Sequence, residues 1–153
     1  RTADDTARYV EWLSQDSLAA IAARPEVATE LAEVEDERAR DLDAIRRIGA
    51  WHGDVIVFDR FDEPGARSPG FLGYLLYPDC LYAVSGTRHA HSIKISVGVN
   101  PWSKQHRRHD VGALCARFGG GGHAAVGGIT LKPDELGRAR ATMAAVIREL
   151  ETT

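Results

Sequence analysis

The stretch Phe118-Gly-Gly-Gly-Gly-His-Ala-Ala-Val-Gly-Gly128 places six glycines among eleven positions, with one imidazole in their midst. Each glycine costs backbone entropy and offers no side chain to pack, so such a run points to main-chain N–H groups brought close to something. Successive amides form a concave nest that suits an anion, and a neighbouring imidazole can donate or accept a further hydrogen bond. Phosphate is the natural occupant. Gly120, Gly121 and Gly122 are then the backbone donors and His123 the side-chain contact. The plainer alternative is a flexible loop after a helix end, but linkers favour serine and lack an apolar frame such as Phe118 and Val126. Two other phosphate loops are excluded. The chain has no Gly-x4-Gly-Lys-Ser/Thr string, and a dinucleotide fingerprint needs its glycines after a strand and before a helix, the reverse of the order here.

Charge supports an anionic ligand. The net charge is −3, but between Ser85 and His123 six basic residues (Arg88, Lys94, Lys104, Arg107, Arg108, Arg117) face one acid, Asp110, and five of the six histidines lie there. That local field attracts anions but falls short of the broad basic stripe of a duplex-DNA binder. Within it, Ser96 and Asn100 fall on the polar side of an alternating strand, and Arg107 and Arg108 could grip phosphate oxygens bidentately; an ordinary solvated face is the competing reading for all four. Trp102 could stack a base or cover the edge of the core, and the core reading is preferred. The pairs His89/His91 and His106/His109, with Cys80 or Cys115, fit no zinc spacing, and neither cysteine has the basic, accessible setting of a nucleophile.

Elements that position these residues follow from periodicity. Residues 4–48 carry helical spacing, read as two or three helices, with Asp16 as a plausible N-cap and Pro25 starting a new helix. Val55–Phe58 reads as a buried strand, and Phe71–Tyr77 as a short helix stopped by Pro78. Leu81–Val84 and Ser92–Val99 are further strands, the second alternating Ile93, Ile95, Val97 and Val99 with Lys94, Ser96, Gly98 and Asn100. Asp110 caps a helix carrying Val111, Leu114, Cys115 and Phe118, Ile129–Leu131 is a strand, and Pro133 opens a last helix. The expected fold class is α+β: a helical leader over residues 1–50, then a small domain over 51–153 with a mixed sheet packed by helices.

The order helix, Phe-Gly-Gly-Gly-Gly-His, small residues, Gly-Gly and apolar strand resembles the type 1 DHH-associated C-terminal domain of DHH-family phosphoesterases. That group includes RecJ-like exonucleases, nanoRNase and phosphoadenosine-phosphate phosphatases, and cyclic dinucleotide phosphodiesterases. The resemblance covers roughly residues 51–150 and extends to Ile93-Lys94-Ile95-Ser96-Val97-Gly98-Val99-Asn100-Pro101, similar to the family's substrate-side strand. It implies that this domain grips substrate phosphate and base, while a separate DHH domain holding two Mn²⁺ or Mg²⁺ ions performs hydrolysis. The Asp-His-His string of that domain does not occur here. The acidic leader then resembles the tail of that domain and its connector, and the chain, which opens on Arg1 without Met, is expected to be a fragment.

The expected function is therefore binding of a nucleotide or short single-stranded oligonucleotide through its phosphate, with a DHH catalytic domain in cis. No catalytic residue or metal ligand is assigned to this chain, which is expected to be inactive alone. Two rivals stand beside it: a regulatory or oligomerisation module, with a homodimer as one outcome, and a self-contained phosphatase using His123. At 153 residues and 44% apolar content, without a long apolar run or signal sequence, the chain is expected to be soluble and cytoplasmic.

Overall fold

The computed structural model describes residues 3–152, and the chain divides into two compact units, Arg1–Asp41 and Leu42–Thr153. In the first unit, α1 (Ala3–Gln15), α2 (Leu18–Ala22) and the start of α3 (Pro25–Ile48) bury Ile21 and Val27. Pro25 opens α3 because its missing N–H falls where a helix has no acceptor to offer. The N-cap of α2 is Ser17, whose hydroxyl accepts from the Ala20 amide at 3.2 Å. Asp16, the residue expected in that role, instead pairs with Arg24 at 2.8 Å.

The second unit is built on a mixed six-stranded sheet in the order β1-β2-β3-β4-β6-β5. The strands are β1 (Gly49–His52), β2 (Val55–Arg60), β3 (Tyr82–Arg88), β4 (Ile93–Val99), β5 (Gly121–His123) and β6 (Val126–Leu131). Only the β2–β3 pair is parallel, and α4 (Phe71–Leu76) lies in its crossover. Two strands have no counterpart in the periodicity reading. β1 pairs as a hairpin with β2, and β5 lies inside the glycine run, which also lengthens β6 back to Val126.

Alternation along the strands sends Val55, Val57, Val84, Ile93, Ile95, Val97, Ile129 and Leu131 to one face. There they pack against α5 (Val111–Arg117) and α6 (Leu136–Glu151), which contribute Val111, Leu114, Cys115, Met143, Val146 and Leu150. Asp110 caps α5, its carboxylate accepting from the Ala113 amide at 2.8 Å. The other face carries a smaller cluster of Ile45, Ile56, Phe58, Tyr74 and Cys80, roofed in part by α4. Beyond α4, toward β4, β6 and β5, that face is left open.

Candidate functional site

Residues opposite one another in a ladder share a face, so the register builds the open surface row by row. One row runs Phe58, Ser85, Ser96, Gly128, Gly121 across β2, β3, β4, β6 and β5. The row beside it runs Ile56, Ala83, Gly98, Val126, His123, and on the other side lie Thr87, Lys94 and Thr130. His123, 27 positions from Ser96 in sequence, thus belongs to the same face and the adjoining row. Neighbouring strands are about 4.8 Å apart, so Ser96 to Gly121 spans about 10 Å.

The period of two also sorts the glycines. Those facing the helices are required by packing. A Cβ at Gly127 would meet Cys115 Sγ at 2.7 Å, and one at Gly112 of α5 would meet the Gly122 carbonyl carbon at 2.7 Å. At Gly122 a Cβ would lie 2.2 Å from the Val126 carbonyl oxygen, with φ at +149°. Here α5 rests directly on the backbone of the β5–β6 hairpin. Those facing the open surface are not so constrained. A Cβ at Gly121 would meet nothing within 4 Å, and at Gly128 it would only reach ordinary contact, with Ile95 O at 3.5 Å and Lys94 Cε at 3.7 Å. The result is a side-chain-free strip over β6 and β5, bordered by Ser96, Lys94 and His123. Being an edge strand, β5 keeps alternate N–H and C=O groups turned away from β6.

The expected site residues are placed differently from one another. Gly121, Ser96 and His123 lie together along the strip, and His123 is exposed with no side-chain hydrogen bond among the described residues. The Gly120 amide is spent inside the fold, donating to the Cys115 carbonyl at 2.9 Å, and Gly122 serves the contact with α5. Asn100 shares the parity of Ser96 but lies past the end of β4, where the chain turns inward. It is 2% exposed, its amide donates to the carbonyls of Pro78 and Cys80 at 3.0 Å each, and its Oδ1 accepts the Trp102 amide. Its role is to hold the turn. Arg108 is paired with Asp54 at 2.9 Å. Arg107 is exposed beside Gln105 and His106 at a hollow of about 450 Å³. The buried Tyr82 hydroxyl anchors that loop by accepting the amides of Arg108 and His109 at 2.8 and 3.0 Å.

Lys94 is a site residue that the sequence reading does not single out. It stands two residues from Ser96 on the exposed face, forms no ion pair among the described residues, and brings a cation beside Gly128. The signal is present in the alternation of β4, but nothing in the sequence shows that Gly128 lies beside it.

A second hollow, of about 420 Å³, adjoins the strip and is enclosed by β3, β4, α4 and the β5–β6 turn. Ser96 and Val126 belong to both. Its wall includes Tyr74, whose phenol is pushed up to about 12, first by burial and then by the neighbouring Cys80, so it stays protonated at neutral pH. The expectation that Trp102 covers the core does not hold. The residue is 58% exposed, with its ring centroid 5.8 Å from that of Phe71 and 6.4 Å from that of Tyr74, two residues that line this hollow.

Among the described residues no three His, Cys, Asp or Glu side chains converge on a point that could hold a metal ion, and no helix is long and apolar enough to cross a membrane. The donors needed for a two-metal hydrolytic centre are not found among them.

No family model and no curated protein matches the chain. Solved structures do. A pGpG-specific phosphodiesterase, PggH from Vibrio cholerae, matches 98% of this chain with a TM-score of 0.79 at 20% identity, the match covering 52% of that protein. The DHH domain of a protein described as a member of a family of ribosomal proteins matches 89% of this chain with a TM-score of 0.58 at 13% identity, covering 36% of its own length. The chain thus spans about half, or less, of the proteins it overlays. At such identities the likeness is one of fold. In fold the chain is similar to these two proteins, one of them described as a DHH domain, in keeping with the family that the glycine and histidine run resembles.

Proposed function

We propose that this chain is the substrate-binding part of a divalent-metal-dependent phosphoesterase, and that it holds a phosphate of a nucleotide or short oligonucleotide on the strip between Ser96, Lys94 and His123. The observation that carries this reading is the pair Gly121 and Gly128. They are the glycines on the open face that no contact within the protein requires, and they lie between a hydroxyl, an ammonium and an imidazole. A floor without side chains lets an anion approach the β5 edge, where outward amides add to the side-chain donors. Lys94 supplies charge and three donors, Ser96 one hydroxyl, and His123 a ring nitrogen. Hydrolysis itself belongs to a second domain in cis carrying Mn²⁺ or Mg²⁺, for which the pGpG specificity of the structurally similar phosphodiesterase is the supporting parallel.

Calorimetric titration of the full chain with the 5′-phosphorylated dinucleotide pGpG tests this. Hydrogen bonds to charged groups are worth about 1.5–3 kcal/mol, so Lys94→Ala and His123→Ala should each weaken binding roughly ten-fold or more. Both side chains are exposed, and thermal unfolding should not change. Wild-type affinity in both variants would overturn the reading.

A further inference from the structure

Resting on that reading, we infer that His109, a residue outside the strip, positions His123 through the Tyr82 hydroxyl, and that protonation of the His109 ring releases this hold and weakens phosphate binding.

The hydrogen bonds at Tyr82 fix the state of His109. A phenol oxygen has one proton and two lone pairs. Both lone pairs are taken by the amides of Arg108 and His109, at 2.8 and 3.0 Å. The hydroxyl proton is left to point at His109 Nδ1, 3.2 Å away. That nitrogen is therefore the acceptor, and the ring is neutral with its proton on Nε2. A proton on Nδ1 would set two donors against each other. Turning the ring aside would leave the hydroxyl proton of a fully buried residue without an acceptor.

From this cluster to the strip the path is short. Ala124 and Ala125 form the turn between His123 of β5 and Val126 of β6. The Ala124 carbonyl accepts the amide of Val111, the first residue of α5, at 3.1 Å. The Ala125 carbonyl accepts that of Val99, the last residue of β4, at 2.8 Å. The turn that carries His123 is thus held by the two residues that bound the loop 100–110. Tyr82 grips that loop at Arg108 and His109, and Asp110, between His109 and Val111, caps α5. A loop that slips at His109 moves the donor on which Ala124, the neighbour of His123, depends.

The charged groups around His109 are themselves paired. Arg108, before it, is held by Asp54 of the β1–β2 turn at 2.9 Å, and Asp110, after it, accepts the Ala113 amide. From α6, the Glu149 carboxyl is held below the usual range first by its hydrogen bonds to Arg117 of α5, at 2.8 and 3.1 Å, and least by His109. Tyr82, from β3, is the group bonded directly to the ring.

The experiment has two arms. In the first, nitrogen-15 spectra of the full chain without ligand, at about pH 8, should show His109 carrying its proton on Nε2; a proton on Nδ1 would overturn the inference. In the second, pGpG is titrated into wild type, His109→Asn and His109→Leu from about pH 8 to about pH 5, the span over which imidazoles take up a proton. Asparagine offers an oxygen in place of Nδ1 and does not titrate. His109→Asn should match wild type at the alkaline end. At the acid end it should bind roughly 5- to 150-fold more tightly than wild type, the factor that corresponds to one buried donor left unsatisfied. His109→Leu should bind weakly throughout. Protons taken up by pGpG or His123 affect all three proteins alike and cancel from the ratios. Equal affinities of wild type and His109→Asn at both ends, or wild-type binding by His109→Leu, would overturn the inference while leaving phosphate binding intact. Failure of pGpG to bind wild type at the alkaline end would overturn the phosphate reading and this one with it.

Discussion

Alanine placed at successive glycines of the run should have opposite consequences one residue apart. At Gly122 the new Cβ would lie 2.2 Å from the Val126 carbonyl oxygen and 2.5 Å from Gly127 Cα, backbone atoms that cannot swing aside, and φ is +149°. Overpacking of this kind costs about 1–3 kcal/mol, and a non-glycine residue held at such a φ about 1–3 kcal/mol more. Gly122→Ala should therefore lose roughly 2–6 kcal/mol, a large fraction of the 5–15 kcal/mol typical of a domain. At Gly121 nothing lies within 4 Å and φ is not in the positive range. There alanine restricts the unfolded chain more than the folded one, and stability should hold or rise by about 0.4–1 kcal/mol. Urea unfolding followed by far-ultraviolet circular dichroism measures both. The larger Gly121→Val should likewise fold but bind pGpG more weakly, because its side chain would occupy the strip. A Gly121→Ala variant as unstable as Gly122→Ala would refute the division of the run into a packing face and a ligand face.

Asn100→Ala leaves the Pro78 and Cys80 carbonyls and the Trp102 amide without their partner in a buried setting. The expected loss is roughly 2–5 kcal/mol, read as a lower thermal midpoint, and unchanged stability would contradict the structural role assigned to it. Stability should also fall with rising pH above about 9. Burial raises the Cys80 thiol from 9.0 to about 11 and, with the Cys80 charge, the Tyr74 phenol from 10.0 to about 12. The unfolded chain thus loses these protons first and is favoured progressively from about pH 9 to about pH 12. Urea midpoints measured across that range should decline, less steeply in Tyr74→Phe, and a flat profile in the wild type would refute the shifts.

Local signals were legible wherever one segment decided its own conformation. Pro25 opening α3, Asp110 capping α5 and the alternation of Ile93–Val99 all act through neighbours a few residues away. The short strand β5 was not legible, since Gly-Gly-His has no β-forming side chain and becomes a strand only by pairing with β6. Ser96 and Asn100 look equivalent by parity. The chain leaves the sheet at Val99, however, and the first of them faces the strip while the second is buried in a turn. Trp102 carries the hydrophobicity of a core residue, and only its place between α4 and the sheet edge leaves it open.

From residue order alone came the α+β class, the helical leader, the importance of the glycine and histidine run and the anionic character of the expected ligand, because spacing and chemistry are properties of the covalent chain. Which glycines serve packing and which open a surface, that Lys94 joins them, and that a hollow adjoins them were decided by strand register. Register depends on how segments far apart in sequence bury their apolar faces together, and a shift of one residue would have turned every one of these groups to the opposite side.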